Sequence, residues 1–387
     1  MFQKKMVEKM GTIFWSVAVG AYFFQFPISG VSSLIIPCLG LYFLTQLPNL
    51  YFPKVKKLIV GSIVYFAFIA FSTVRSLAMG IAFSRVVRFA AILTGIPAFC
   101  WIKDPQFAAK RRIFMGCAVA KSLLLIIIAG AMMWKGEYAV FRNWAYENHY
   151  GDIYILNGVP KVQVHGNALL MMAFVTDFFQ NKRLNLYSLL VLIAVLIAGN
   201  FAFVLGLFLL VLWQGSIWAY RIIKTTKYGK RIVAGIILIT VIVMTPFLVG
   251  KIKEKAEVSN ATRIDQAKVL LDANPVIGDG LGYIVKAETP TRVYDGDIYF
   301  ELQSLYVYKQ IGLIGLLLFY FITVYVAGYK GRDRLILYLI YLAYTFWNPY
   351  CFDTTQMFSI ILILNTAKLG AKNEKSAYYR LLPIRWR

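Results

Sequence analysis

"LLLIIIAGAMMW", Leu123 to Trp134, holds no charge and no proline. Apolar runs return in "LLVLIAVLIAG" (Leu189 to Gly199) and, between Arg231 and Pro246, in "RIVAGIILITVIVMTPFLVG" (Arg231 to Gly250). Apolar runs of about 14 to 24 residues recur along the whole chain, and about 20 residues cross a bilayer. Composition agrees: 59% of the 387 residues are apolar and 15% are charged, with a mean hydropathy of +0.65. A soluble domain carries about 25% charged residues. The reading is an all-α polytopic membrane protein.

Periodicity and length place about twelve spans, at residues 12–26, 30–48, 57–74, 82–102, 113–134, 162–179, 184–198, 201–221, 232–250, 303–328, 334–347 and 353–369. Charge tests that order. Connections on the cytoplasmic side are rich in Lys and Arg, and alternate connections here are: "MFQKKMVEK", "PKVKK" (53–57), "KDPQFAAKRR" (103–112), "NKR" (181–183), "RIIKTTKYGKR" (221–231), "KGRDR" (330–334) and the tail. Both termini therefore fall inside. The net charge of +23 reads as topology plus attraction to anionic lipid head groups. Basic residues scattered over seven connections exclude a nucleic-acid-binding face.

The chain then divides into spans one to nine (1–250, with an outward connection at about 135–161), a large outward loop (251–302), spans ten to twelve (303–369) and a basic inward tail (370–387). No small-residue cleavage site follows the first apolar run, which reads as span one. Cys38, Cys100, Cys117 and Cys351 give neither a disulfide framework nor a zinc pattern. With His149 and His165 as the two histidines, no metal site and no cofactor are expected.

The loop 251–302 breaks the pattern. Nine of the chain's eighteen acidic residues lie between Glu254 and Glu301. Helix connections need about two to eight residues, and much longer ones carry function or are disordered. Apolar spacing at Ile264, Ala267, Leu270 and Leu271 predicts an amphipathic helix over Asn260 to Asn274. Thr262 reads as its N-cap with Asp265 three residues on, and Asn274-Pro275 as its end. Arg263 shares a face with Gln266 or Ala267. The turn "GDGLG" places Gly278, Gly280 and Gly282 close together. It has no preceding strand, so it is not a dinucleotide motif. It reads either as a sharp turn back to the membrane or as converging amides that hold an anion.

"RIDQAKVLLDANPVIGDGLG" (Arg263 to Gly282), a polar linker and "ELQSLYVYKQIGLIGLL" (Glu301 to Leu317) together resemble the O-antigen polymerase and O-antigen ligase superfamily of membrane glycosyltransferases. The shared pattern is an Arg, a short helix ending in Asn-Pro and a Gly-x-Gly-x-Gly turn. A span with Gly-x-x-Gly about eleven residues from its polar head follows. The likeness covers about 60 residues. Glu301 stands where many members carry His, which argues against a ligase and for a polymerase. The Ser-Arg of the family's eighth span is absent: that region reads "AGNFAFVLG" (Ala198 to Gly206).

The resemblance implies a polyprenyl-diphosphate-linked oligosaccharide as substrate, a bacterial inner (cytoplasmic) membrane, a site facing the periplasm and a chain-length regulator as partner. The growing glycan would pass from one lipid diphosphate to the non-reducing end of another lipid-linked repeat unit. A ligase is the near alternative, and a lipid-linked oligosaccharide flippase or transporter the alternative of another class.

Such chemistry needs fixed cations for the departing diphosphate and a base for the acceptor hydroxyl. Arginine holds phosphate oxygens bidentately. The candidates are Arg85 and Arg88, three apart and so on one helical face, with Arg142, Arg263, Arg292 and Arg75. Lys121 and Lys309 are intramembrane cations open to either reading. Glu301 is the candidate base and His165 its rival. Asn167, Gln303 and Tyr299 are candidates for glycan contact. Tyr138, Trp144, Tyr146, Tyr150 and Tyr154 suit either sugar stacking or an interfacial belt. Asp295 to Asp297, "DGD", is a weak metal motif. Gly312, Gly315, Gly199 and Gly206 read as close helix-packing positions.

Overall fold

The computed structural model describes residues 2–51, 55–136, 138–156, 158–181, 184–235, 261–290, 293–295, 300–346 and 348–366. Arg292, Tyr299, most of the expected span 232–250, the start of the large loop, Asp297 and the basic tail lie outside the described residues. The helices are α1 (Phe2–Phe24), α2 (Ile35–Gln46), α3 (Lys56–Ala78), α4 (Phe83–Phe99), α5 (Phe107–Lys135), α6 (Tyr138–Glu147), α7 (Ala168–Asn181), α8 (Leu186–Ile197), α9 (Phe201–Thr225), α10 (Gln303–Lys330), α11 (Arg332–Thr345) and α12 (Thr354–Asn365). Residues 229–235 and 261–271 are also helical. Two antiparallel hairpins pair β1 (Gly151–Leu156) with β2 (Val159–Val164), and β3 (Lys286–Glu288) with β4 (Val293–Asp295).

Among the described residues five helical stretches are long and apolar enough to cross a membrane: Val31–Asn49, Lys56–Ala78, Phe107–Trp134, Phe201–Thr225 and Gln303–Lys330. Their outward faces are apolar, with Val60, Ile63, Phe71 and Val74 of α3 and Phe208, Val211 and Leu212 of α9 all exposed. Water would penalise such stripes, whereas lipid does not distinguish them from a core. The expected spans 162–179, 184–198 and 353–369 contain shorter helices. α7 has 14 residues and α8 and α12 have 12, about 20 Å at 1.5 Å per residue against a hydrocarbon core of about 30 Å. The expected span 162–179 also starts wrongly, since Val162 to Val164 belong to β2 and α7 begins at Ala168. Pro160 and the β-branched Val159, Val162 and Val164 favour a hairpin edge over a helix start.

The chain forms two compact units. Of the described residues, one draws on the stretches 2–49, 103–198 and 362–366, the other on 50–102 and 199–361. In the first, α5 packs on α1, α7 and α8. Lys121 of α5 is fully buried, and its Nζ donates to the carbonyls of Phe26 and His165, each at 3.1 Å. Two residues of the basic segment 103–112 are also interior. Lys110 pairs with Asp104 at 2.8 Å and Arg111 with Asp177 at 2.9 Å. Phe26, Trp144 and Tyr150 form one aromatic cluster, and the Tyr138 hydroxyl donates to the Ile153 carbonyl. Trp144 is partly and Tyr146 largely exposed.

The second unit is organised by a break in α10. Gly312 has φ +66° and ψ −175°, which no α-helix contains. At the break, helical N–H and C=O groups lose their partners, which an apolar surrounding does not tolerate. Residues 275–280 supply the partners. Leu313 N–H donates to the Pro275 carbonyl (2.9 Å) and Ile314 N–H to Val276 (3.3 Å), while Asp279 N–H donates to the Lys309 carbonyl (2.7 Å) and Gly280 N–H to Gln310 (3.1 Å). The Gln310 side chain accepts from Tyr283 N–H and donates to its carbonyl, both at 3.1 Å. From α3, the Arg75 guanidinium donates to the carbonyls of Ile277 and Gly278, and Ser76 Oγ accepts Leu281 N–H. Lys309 Nζ pairs with Asp279 at 3.2 Å and donates to the Asp272 carbonyl.

Glycine is required at both sides of this contact. A Cβ on Gly312 would stand 2.3 Å from the Val276 oxygen, and one on Gly278 2.5 Å from the backbone of Gln310 and Ile311. Gly312→Ala and Gly278→Ala are therefore expected to cost at least about 1–3 kcal/mol each from the left-handed backbone alone. Gly130→Ala, with open space at its Cβ, should be neutral or slightly stabilising. Thermal unfolding of the detergent-purified protein reads the difference, and equal melting temperatures for all three variants would refute it.

Candidate functional site

Residues 261–271 form the expected amphipathic helix. Ala261 is already helical, so Thr262 stands inside the helix and not at its cap. Leu270 is buried in a cluster with Val285, Tyr294, Phe300, Leu302 and Tyr306, and Ala267 and Phe89 pack against it. Within that cluster Tyr294, Phe300 and Tyr306 stack in sequence, each pair of centroids 4.8 Å apart, and Phe89 of α4 closes the row edge-on at 5.7 Å. The stack fixes the loop helix, the head of α10 and the start of α4 around one core.

On the adjoining face of the loop helix, Arg263 Nε lies 3.0 Å from Glu301 Oε2. The N–H is not aligned on the carboxylate as a hydrogen bond. The side chains are 29% and 28% exposed, and a pair this open contributes about 1 kcal/mol or less to stability. Stability thus gives little reason for the pairing. One helical turn on, Gln266 is fully buried, and its Oε1 accepts the N–H of Glu301 at 3.0 Å and of Leu302 at 3.3 Å.

Arg85, in the first turn of α4, carries a buried Nη1 with no hydrogen-bond partner among the described residues. Gly282 is backed onto it, since a Cβ there would meet Arg85 Cβ at 2.9 Å. Arg88 is exposed. Three cations, Arg85, Arg88 and Arg263, thus stand in the unit that holds Glu301. Phe89, one turn beyond Arg85, ties that end of α4 to the same cluster as the loop helix.

Several sequence candidates have other occupations. Arg75 and Lys309 bind the loop backbone as described. Gln303 Oε1 accepts the N–H groups of Cys351 and Phe352. The expectation that the glycine turn gathers amides on an anion is corrected: the N–H groups of Gly278, Asp279, Gly280, Leu281 and Tyr283 are all bonded within the protein. The turn reading of Gly278, Gly280 and Gly282 stands, with φ of +71°, +113° and +78°.

His165, Asn167 and Arg142 belong to the other compact unit. His165 sits between β2 and α7, and its Nε2 meets the His149 carbonyl at 2.9 Å. Asn167 is buried and donates to the Val162 carbonyl, which leaves it little surface to offer a sugar. Arg142 pairs with Asp152 on an exposed helix.

Gln266 is the residue that sequence reasoning passed over. Its spacing from Arg263 placed it on the right face, but nothing in one sequence shows that its partner is a backbone 35 residues away. Among the described residues no three His, Cys, Asp or Glu side chains gather into a metal-ligand set.

No protein-family model matches this chain, and comparison with characterised proteins and with solved structures finds no match to either. The side chains themselves must then carry the functional reading. Arg75, which binds the loop, and the exposed Arg88 separate on stability. Arg75→Met strips two loop carbonyls of their donor and should cost about 1–3 kcal/mol, whereas Arg88→Met at an exposed position should stay within about 0.5 kcal/mol. Equal thermal unfolding of the two variants would remove Arg75 from the loop's support.

Proposed function

We propose that the chain is a surface-polysaccharide polymerase, a membrane glycosyltransferase acting on polyprenyl-diphosphate-linked oligosaccharide. The observation that supports this reading is the meeting of Arg263 and Glu301 across the two halves of the motif, with, in the same unit, an Arg85 guanidinium nitrogen that has no partner among the described residues. In the proposed reaction the acceptor hydroxyl oxygen attacks the anomeric carbon of the donor glycan. The bond from that carbon to the diphosphate oxygen breaks, and its electron pair leaves with the lipid diphosphate. Arg263, Arg85 and Arg88 stabilise the charge that develops on the diphosphate. Glu301 takes the hydroxyl proton. The apolar flanks of α3 and α4 suit the polyprenyl tail.

The finer topology belongs to the same proposal: about twelve spans in a bacterial inner membrane, both termini cytoplasmic, and the loop 251–302 on the periplasmic side. Glu301 in place of the family's histidine favours a polymerase over a ligase. A transporter reading has one observation behind it, because discontinuous helices often bind substrate or ions at their free ends. At Gly312, however, the ends are occupied by residues 275–280, which weighs against it.

The test is polymerisation of a lipid-diphosphate-linked repeat unit by the purified protein, read as a ladder of multiples. Arg263→Ala and Glu301→Gln should each lower the rate by about 10²–10³-fold. His165→Ala and Arg142→Ala should retain it, and a chelator should leave the ladder intact. Loss of the ladder in His165→Ala with retention in Glu301→Gln would move the base to the other unit. Absence of a ladder from every form, with repeat units crossing vesicles, would favour the transporter.

A further inference from the structure

Helix α10 begins without a side-chain cap of its own. The N–H groups of the two residues that lead into it, Glu301 and the N-cap Leu302, are taken by one oxygen of Gln266. Gln266 is a poor choice for packing alone. It is fully buried, and its Nε2 has no hydrogen-bond partner among the described residues, an arrangement a Leu or Met would avoid. What Gln supplies that they do not is the acceptor at Glu301.

Arg263 and Gln266 are three residues apart, hence neighbours on one face. One turn of the loop helix therefore holds the same residue twice, by its carboxylate through Arg263 and by its backbone through Gln266. The ion pair alone is only half-buried and its N–H is not aligned on the carboxylate, so it does not fix the carboxylate's position. The buried backbone contact does.

We propose that Gln266 is the positioning residue of the site: it sets where the Glu301 carboxylate stands relative to the Arg263 guanidinium. The inference rests on reading that pair as the working part of the site. Gln266 touches no substrate. It acts through Glu301.

The experiment uses the purified full chain in detergent. Arg263→Cys/Glu301→Cys is cross-linked with a short bis-maleimide, alone and with Gln266→Met or Gln266→Glu. Asp279→Cys/Lys309→Cys, at the contact between the glycine turn and α10, is the control pair, and the native cysteines set the blank. Gln266→Met should lower the 263–301 cross-link at least threefold and leave the 279–309 cross-link unchanged. Gln266→Glu, which keeps the acceptor oxygen, should restore it. In the polymerisation assay Gln266→Met should lower kcat by about 10–100-fold with KM little changed, the signature of a displaced group and not of lost binding. An unchanged 263–301 cross-link, or an equal fall in both pairs, overturns the proposal. A selective fall in cross-linking from a protein that polymerises nothing upholds the positioning and overturns the enzymatic reading.

Discussion

A helix cannot be interrupted inside an apolar environment unless its stranded backbone groups find partners. Gly312 interrupts α10, and the rest of the second unit is arranged to meet that demand. The segment from Pro275 to Gly280 runs into the break and satisfies it from both sides. Its close approach dictates glycine at 278 and 312, where any Cβ would collide with backbone. Its own carbonyls and amides then require Arg75 and Ser76 of α3. The charged loop is thus a structural part of the membrane unit, stitched into a helix it precedes in sequence.

That stitching has a consequence for the site. With 275–283 anchored at the break, the helix 261–271 before it and the head of α10 after it are held on either side of the Tyr294–Phe300–Tyr306 stack. Arg263 and Glu301 meet for that reason, although 38 positions separate them. The pair adds little stability by itself. Its geometry is inherited from buried contacts around it, above all the Gln266 carbonyl on the Glu301 and Leu302 amides.

The basic residues divide in the same way. Counting Lys and Arg in connections predicts sidedness, but a count does not show which cations are solvated. Lys110 and Arg111 are in ion pairs, Lys121 binds two carbonyls, and Arg75 and Lys309 clamp the loop. Arg88 remains exposed, and Arg85 keeps a nitrogen without a hydrogen-bond partner among the described residues. Position in the fold separates a structural cation from one free to meet an anion.

The sequence alone determined what depends on local properties. Long apolar runs set helices near the expected spans, the 3–4 spacing of Ile264, Ala267 and Leu270 set the loop helix, and the glycine cluster set a turn. Each of these follows from neighbours within a few residues. Tertiary structure decided the rest, because the deciding partners are distant. The hairpin β1–β2 displaces the start of an expected span through strand pairing. The turn's amides are taken by α10, by Ser76 of α3 and by the loop itself; the part played by α10 follows from its break at Gly312, and one sequence cannot distinguish a packing glycine from a breaking one. Gln266 gained its role from a backbone 35 residues away. Hydrogen bonds at such separations depend on how the chain is folded back, and no local pattern records that.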